Sequence, residues 1–251
     1  MFDITVLLPE GLSLSLAFAF VGFSFFTSAI TASLGLGGGI MMLAGLAMVF
    51  TPTVVIPFHG FVQLGSNGFR ALMLKAYIHW QLILWIGLGM VLGSLLGGSL
   101  AVALPESVFL AAIGIFILYS VWGPQPKVAV RGPFASFFGG TAIAALGMII
   151  GATGPLVANF LKSLTDRRDV VATHSMIMTI NNLAKVTAFT LFGFAFGQYL
   201  PLMLAMIASG FLGTWLGSHL LHRMPERTFR VGFKAVLTLV ALNLLRSAIW
   251  P

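Results

Sequence analysis

The sequence predicts an all-α polytopic membrane protein built from two related halves, each carrying one broken or re-entrant helical segment. Three observations predict it. Of 251 residues, 59% are hydrophobic and only 8% charged, with a mean hydropathy of +1.04; soluble domains carry about 25% charged residues. The apolar runs are long and do not alternate, so they read as helices rather than barrel strands. Finally, two glycine-bearing interruptions, Gly35-Leu36-Gly37-Gly38-Gly39 and Gly151-Ala152-Thr153-Gly154-Pro155, fall inside apolar sequence.

Taken in order, the apolar segments cover about 11–33, 38–50, 53–74, 80–103, 107–123, 133–150, 155–164, 170–197, 199–221 and 229–249. A helix crossing the bilayer needs about 20 residues. Segments 38–50 and 155–164 fall short, and both directly follow a break. Each therefore reads as the returning arm of a re-entrant hairpin or as half of a broken helix. A helical glycine costs about 1 kcal/mol relative to alanine. Opened backbone at membrane depth is tolerated only where it faces protein or a polar cavity. No charge occurs from Gly11 to Phe69, so the first break marks such a cavity, the kind of place where transporters build ion sites.

Basic residues set the sidedness. Arg70, Lys75, Lys127, Arg131, Lys162, Arg167, Arg168, Arg223, Arg227, Arg230 and Lys234 all fall on one face, and of thirteen basic residues only Lys185 and Arg246 escape the pattern. The positive-inside rule makes that face cytoplasmic and places both termini, with Asp3, Glu10 and Glu106, outside, on the periplasmic side of a plasma (inner) membrane. The net charge of +7 thus reads as topology signal and lipid contact, not as a nucleic-acid footprint. There is no cysteine, which removes disulfides and thiolate metal sites. The N-terminus lacks the basic region of a cleavable signal peptide.

The chain also repeats itself. Leu92-Gly93-Ser94, Leu96-Gly97, Leu100, Pro105-Glu106 and Phe109 return 120 residues later as Leu212-Gly213-Thr214, Leu216-Gly217, Leu220, Pro225-Glu226 and Phe229. One Pro-Glu turn is assigned outside and the other inside, so the two copies have inverted topology. The organisation is a first membrane repeat at 1–123, a cytoplasmic linker at 124–132 and a second, inverted repeat at 133–251. Inverted repeats put substrate near the midplane at their interface. The Gly93-x-x-x-Gly97 and Gly213-x-x-x-Gly217 pairs read as close helix packing.

After each break comes a long segment with the same polar stripe: His59, Gln63, Asn67 and Arg70, then His174, Met178, Asn182 and Lys185. The spacing i, i+4, i+8, i+11 puts each set on one helical face, and Asn181, Thr179 and Thr187 add polarity to the second. Asp3, Glu10, Glu106, Asp166, Asp169 and Glu226 all sit at loops or ends, so no carboxylate is available at depth for a hard cation. What remains is cationic or hydrogen-bond donating, and helix N-termini beside the breaks add positive dipole ends. The expected ligand is a small anion. Gly37, Gly38, Gly39, Thr153 and Gly154 would give it backbone donors, Gln63, Asn67, Asn181 and Asn182 hydrogen bonds, and Arg70 and Lys185 charge. His59 and His174 complete the candidate site, and His59 has the chemistry of a proton relay because imidazole titrates near neutrality. Plainer roles exist: Asn67 and Asn182 as interhelical glue, Arg70 snorkelling to the interface. No H-E-x-x-H, Gly-x-Ser-x-Gly or paired carboxylate is present, so neither an enzyme nor a metal or other cofactor is expected.

A 250-residue chain with a Gly-rich break after its first helix, a following helix bearing His59 to Arg70, and a diverged second copy resembles the TauE/SafE family of sulfite exporters and sulfonate permeases. The resemblance covers essentially the whole chain. It implies an inverted-repeat membrane fold and movement of a small sulfur oxyanion such as sulfite or of an organosulfonate such as sulfoacetate, and the expected mode is alternating access around the two breaks. Export and a proton link are the expectation; an anion channel with the same midplane site is the alternative, distinguished by the absence of trans-stimulated exchange. Expected partners are the anion, protons and membrane lipids, without nucleic acid; a homo-oligomer stays open. Two departures, the glycine-poorer second break and Met178 in the place of Gln63, imply an asymmetric site.

Overall fold

The computed structural model describes residues 8–9, 11–34, 37–101, 103–124, 132–220 and 226–250. Expectations that fall on Asp3, Glu10, Gly35, Leu36, Lys127, Arg131, Arg223, Pro225 and the linker 125–131 lie outside the described residues. Among those described there is no strand, and ten α-helices follow in order. The first five are α1 Leu14–Leu34, α2 Gly38–Ala47, α3 Pro52–Met73, α4 Trp80–Ala101 and α5 Glu106–Trp122. The second five are α6 Pro133–Ile150, α7 Gly154–Phe160, α8 Arg167–Leu191, α9 Leu200–Leu220 and α10 Glu226–Ile249. Short 3₁₀ turns precede α4 at Lys75–Tyr77 and α9 at Phe196–Tyr199.

Among the described residues, four stretches are long and apolar enough to cross a membrane: Leu14–Ala32, Trp80–Ala101, Pro133–Ile150 and Phe196–Gly217. Large apolar side chains such as Phe18, Phe26, Leu96, Phe134 and Phe138 project outward from these helices. A soluble monomer rarely exposes so much contiguous apolar surface, whereas lipid solvates it. α3 and α8 hold the polar stripes and pack against each other at the centre, while α5 packs on α10.

The outer helices pair crosswise. Along α4, a Cβ on Gly89, Gly93 or Gly97 would overlap the carbonyl oxygens of Phe137, Thr141 and Ala145 in α6. Along α9, Gly213 and Gly217 meet the carbonyls of Phe25 and Ala29 in α1 in the same way. Thr141 and Ala145 lie 116 residues after Phe25 and Ala29 (141 − 25, 145 − 29), and the glycines recur at 120. The fourth helix of each five thus seats its small residues against the first helix of the other five. Without a hydrophobic drive between helices in lipid, such close backbone approach supplies the van der Waals contact that joins them. The Gly-x-x-x-Gly pairs are packing sites, as expected.

Several boundaries differ from the sequence reading. Segment 170–197 is not one helix: α8 stops at Leu191, and Gly193, at φ 88°, receives the turn that ends it, with Phe194 N–H bonded to the Phe189 carbonyl. A left-handed glycine after the last turn is a common helix stop. α8 also starts earlier, at Arg167, because the Asp166 carboxylate accepts from Arg168 N–H at 2.7 Å as an N-cap. α7 is shorter than 155–164, giving way to turns after Phe160.

Candidate functional site

Two glycines open the chain where the sequence placed the breaks. Gly37, at φ 108°, sits between α1 and α2, and Gly151, at φ 79°, ends α6 ahead of α7. Positive φ is cheap only for glycine. Each break is then fastened by the first residue of its own stripe. His59 Nε2 donates to the Gly39 carbonyl at 2.9 Å, and His174 Nε2 donates to the Gly154 carbonyl at 3.0 Å. A carbonyl only accepts, so both rings carry their hydrogen on Nε2. The two bonds span the same 20 residues of sequence.

Between the breaks lies a cavity of ≈ 40 Å³ lined by Thr31, Gly37, Gly39, Ile40, His59, Gln63 and Asn67 from the first half and Ala152, Gly154, Pro155, His174 and Met178 from the second. At about 10–15 Å³ for each water-sized body, it has room for roughly three, the scale of a small oxyanion. Among the described residues, no carboxylate, lysine or arginine lines it. Its donors come from backbone and amides. The first helical bond of α2 runs from Met41 N–H to the Gly37 carbonyl, so the N–H groups of Gly38, Gly39 and Ile40 have no acceptor inside that helix. Asn67 Nδ2 donates to the Gln63 carbonyl at 2.9 Å, and its Oδ1 accepts from Arg70 Nη1 at 3.3 Å.

Seven predicted site residues are thus on the wall: Gly37, Gly39, His59, Gln63, Asn67, Gly154 and His174. The other six stand behind it. Gly38 is buried against Thr27 and Thr31 of α1, so closely that a Cβ would overlap the Thr27 carbonyl oxygen. Arg70 is buried and reaches the cavity through Asn67. Thr153 Oγ1 accepts from Asn181 Nδ2 at 3.1 Å. Lys185 is fully buried, its stem laid where α3 has only Gly60, and its Nζ donates to the Gly151 carbonyl at 2.5 Å. Asn182 is fully buried with neither end of its amide hydrogen-bonded. The sequence reading did not place Thr31, Ile40, Ala152, Pro155 or Met178 among the site residues, although Met178 stood on the second stripe and Pro155 in the second break. Thr31 carried no signal, since a threonine in an apolar helix commonly bonds back four residues, as it does here to the Thr27 carbonyl at 2.9 Å.

A family model described as "Sulfite exporter TauE/SafE" matches residues 20–244. The chain belongs to the TauE/SafE family. Neither the curated proteins nor the solved structures gave a match. As a TauE/SafE protein it is an integral membrane protein of a family whose members are sulfite-exporter-type transporters. The TauE/SafE match takes in both breaks, both stripes and every residue of the cavity wall.

Proposed function

We propose that this TauE/SafE protein is a secondary transporter that carries a small sulfur oxyanion, sulfite or an organosulfonate such as sulfoacetate, outward across the plasma (inner) membrane by alternating access around the two breaks. The observation that carries this reading is the carboxylate-free cavity between the breaks, walled by residues of both halves. Unpaired N–H groups and the positive end of α2 favour negative charge there, and a cation would find no acid to bind it. Arg70 and Lys185 add positive potential from behind the wall. Protons are the coupling ion in this reading, with His59 and His174 as the titratable groups on the wall.

The two halves lie in opposite orientation in this scheme. The crosswise glycine pairings and the twin His–carbonyl bonds support it, as does the one-sided run of basic residues. On the face assigned outside, Phe50 stacks on Phe58 at 5.3 Å, Tyr199 meets both edge-on at 6.1 and 5.9 Å, and Phe194 lies over Tyr199 at 5.7 Å; we assign this aromatic cluster as the outer closure. Lys75 and Glu106 are both exposed and fall on opposite sides. A cysteine at 75 is expected to react with impermeant maleimide only from the cytoplasm, and one at 106 only from outside. The same side for both would overturn the topology.

The function is tested with purified protein. Sulfite or sulfoacetate is expected to raise its melting temperature and to show trans-stimulated exchange in proteoliposomes. His59→Ala, which unfastens the first break, is expected to lower exchange at least about tenfold, the worth of one lost hydrogen bond of about 1.4 kcal/mol. No shift and no exchange with any sulfur oxyanion would remove the proposal.

A further inference from the structure

The cavity wall has two unlike sides. The first half contributes the Gln63 and Asn67 amides and the N–H groups at the start of α2, beside a Thr31 hydroxyl whose hydrogen goes to the Thr27 carbonyl. Facing them, the second half contributes Ala152, Pro155 and Met178, with His174 and one backbone N–H, that of Gly154. Set 115 residues apart, Ile40 corresponds to Pro155 and Gln63 to Met178, just as Gly39 corresponds to Gly154 and His59 to His174. Both exchanges delete donors. Proline has no N–H, and a thioether has no donor and is only a weak acceptor. The remaining polar side chain on that side, His174, has its Nε2–H engaged by the Gly154 carbonyl.

We infer that Met178, backed by Pro155 and Ala152, selects anions whose oxygens occupy one hemisphere and whose opposite apex carries none. This rests on the oxyanion reading and says which oxyanions the site takes. A pyramidal sulfite directs three oxygens to the donors of the first half and its sulfur lone pair to Met178. A sulfonate does the same with its carbon substituent. Tetrahedral sulfate or phosphate, however it is turned, presses a charged oxygen against the thioether, which has no donor to offer it. Burying such an oxygen unpaired costs enough to weaken binding at least about tenfold. Sites that leave a buried polar group unpaired discriminate more sharply than sites that only measure size. Met178 is therefore a specificity-determining residue, and the divergence of the halves at this position is what makes the cavity selective.

The test is competition against sulfite on the full-length purified protein with methanesulfonate and with sulfate, repeated for Met178→Gln and Met178→Leu. In the wild type, methanesulfonate is expected to compete at least about tenfold better than sulfate. Met178→Gln, which supplies a donor, is expected to bring sulfate to within a few-fold of sulfite, while Met178→Leu, of similar size and without a donor, keeps the wild-type ratio. Sulfate competing as well as methanesulfonate in the wild type overturns the inference, a comparison that needs no variant to fold. So does a Met178→Gln ratio equal to the wild type, or a Met178→Leu ratio that moves with it. In each of those cases sulfite still binds and the oxyanion reading stands; binding of none of the three anions overturns that reading too.

Discussion

Lys185→Met is expected to cut sulfite exchange by roughly ten- to a hundredfold while leaving the melting temperature within a few degrees of wild type. The two halves of that expectation come from different terms. The ammonium donates to the Gly151 carbonyl at 2.5 Å from a fully buried position, a charge-assisted bond worth about 1.5–3 kcal/mol; the same energy taken from the transport cycle is that fall in rate. For stability the balance is different. A lysine at bilayer depth costs about 2.5–3.5 kcal/mol, and methionine of similar length removes that cost. It also leaves the Gly151 carbonyl without its donor, at about 1–3 kcal/mol. These nearly cancel, so a scaffold has little reason to keep a lysine here, whereas an anion carrier gains positive potential beside its cavity. Exchange at wild-type level in Lys185→Met would take the residue out of the mechanism. Thermal shift and proteoliposome flux on one preparation measure both.

That lysine also marks where the sequence stops being informative. Its place on the stripe was legible, because i, i+4, i+8, i+11 spacing fixes a helical face. How far along the face the cavity runs was not. The cavity takes in His59, Gln63 and Asn67 of α3 but only His174 and Met178 of α8; Asn182 stays buried behind the wall and Lys185 is turned toward the end of α6. That depends on the close α3–α8 packing, which Gly60 permits by leaving room for the Lys185 stem. The breaks themselves were legible because clustered glycines weaken a helix that the surrounding apolar residues would otherwise continue. The end of α8 was missed because Phe192, Phe194 and Phe196 continue the apolar run past Gly193, whose positive φ stops the helix.

The two breaks are expected to respond in opposite ways to the smallest substitution. Gly38→Ala should destabilise the protein by about 1–3 kcal/mol or more and abolish exchange. Its Cβ would land on the Thr27 carbonyl oxygen and on Thr31 Oγ1, and the former is backbone inside a helix and cannot turn aside. The only relief is to move α2 away from α1, which withdraws the N–H groups of Gly38, Gly39 and Ile40 from the cavity and pulls the Gly39 carbonyl off His59. Gly154→Ala meets only the His174 ring, at 3.6 Å, an ordinary contact. Gly154 has no positive φ, and alanine favours the helix by up to about 1 kcal/mol. It should keep the fold, melt at or slightly above the wild-type temperature and retain exchange. The comparison separates two accounts of the first break. If its glycines only let helices approach, Gly38→Ala lowers the melting temperature, and protein rescued by lipid or ligand exchanges normally. If α2 presents its N-terminus to the anion, the rescued protein still fails to bind sulfite, because the donors have moved with the helix. Sulfite binding by rescued Gly38→Ala at wild-type affinity would leave the α2 terminus with no part in holding the anion.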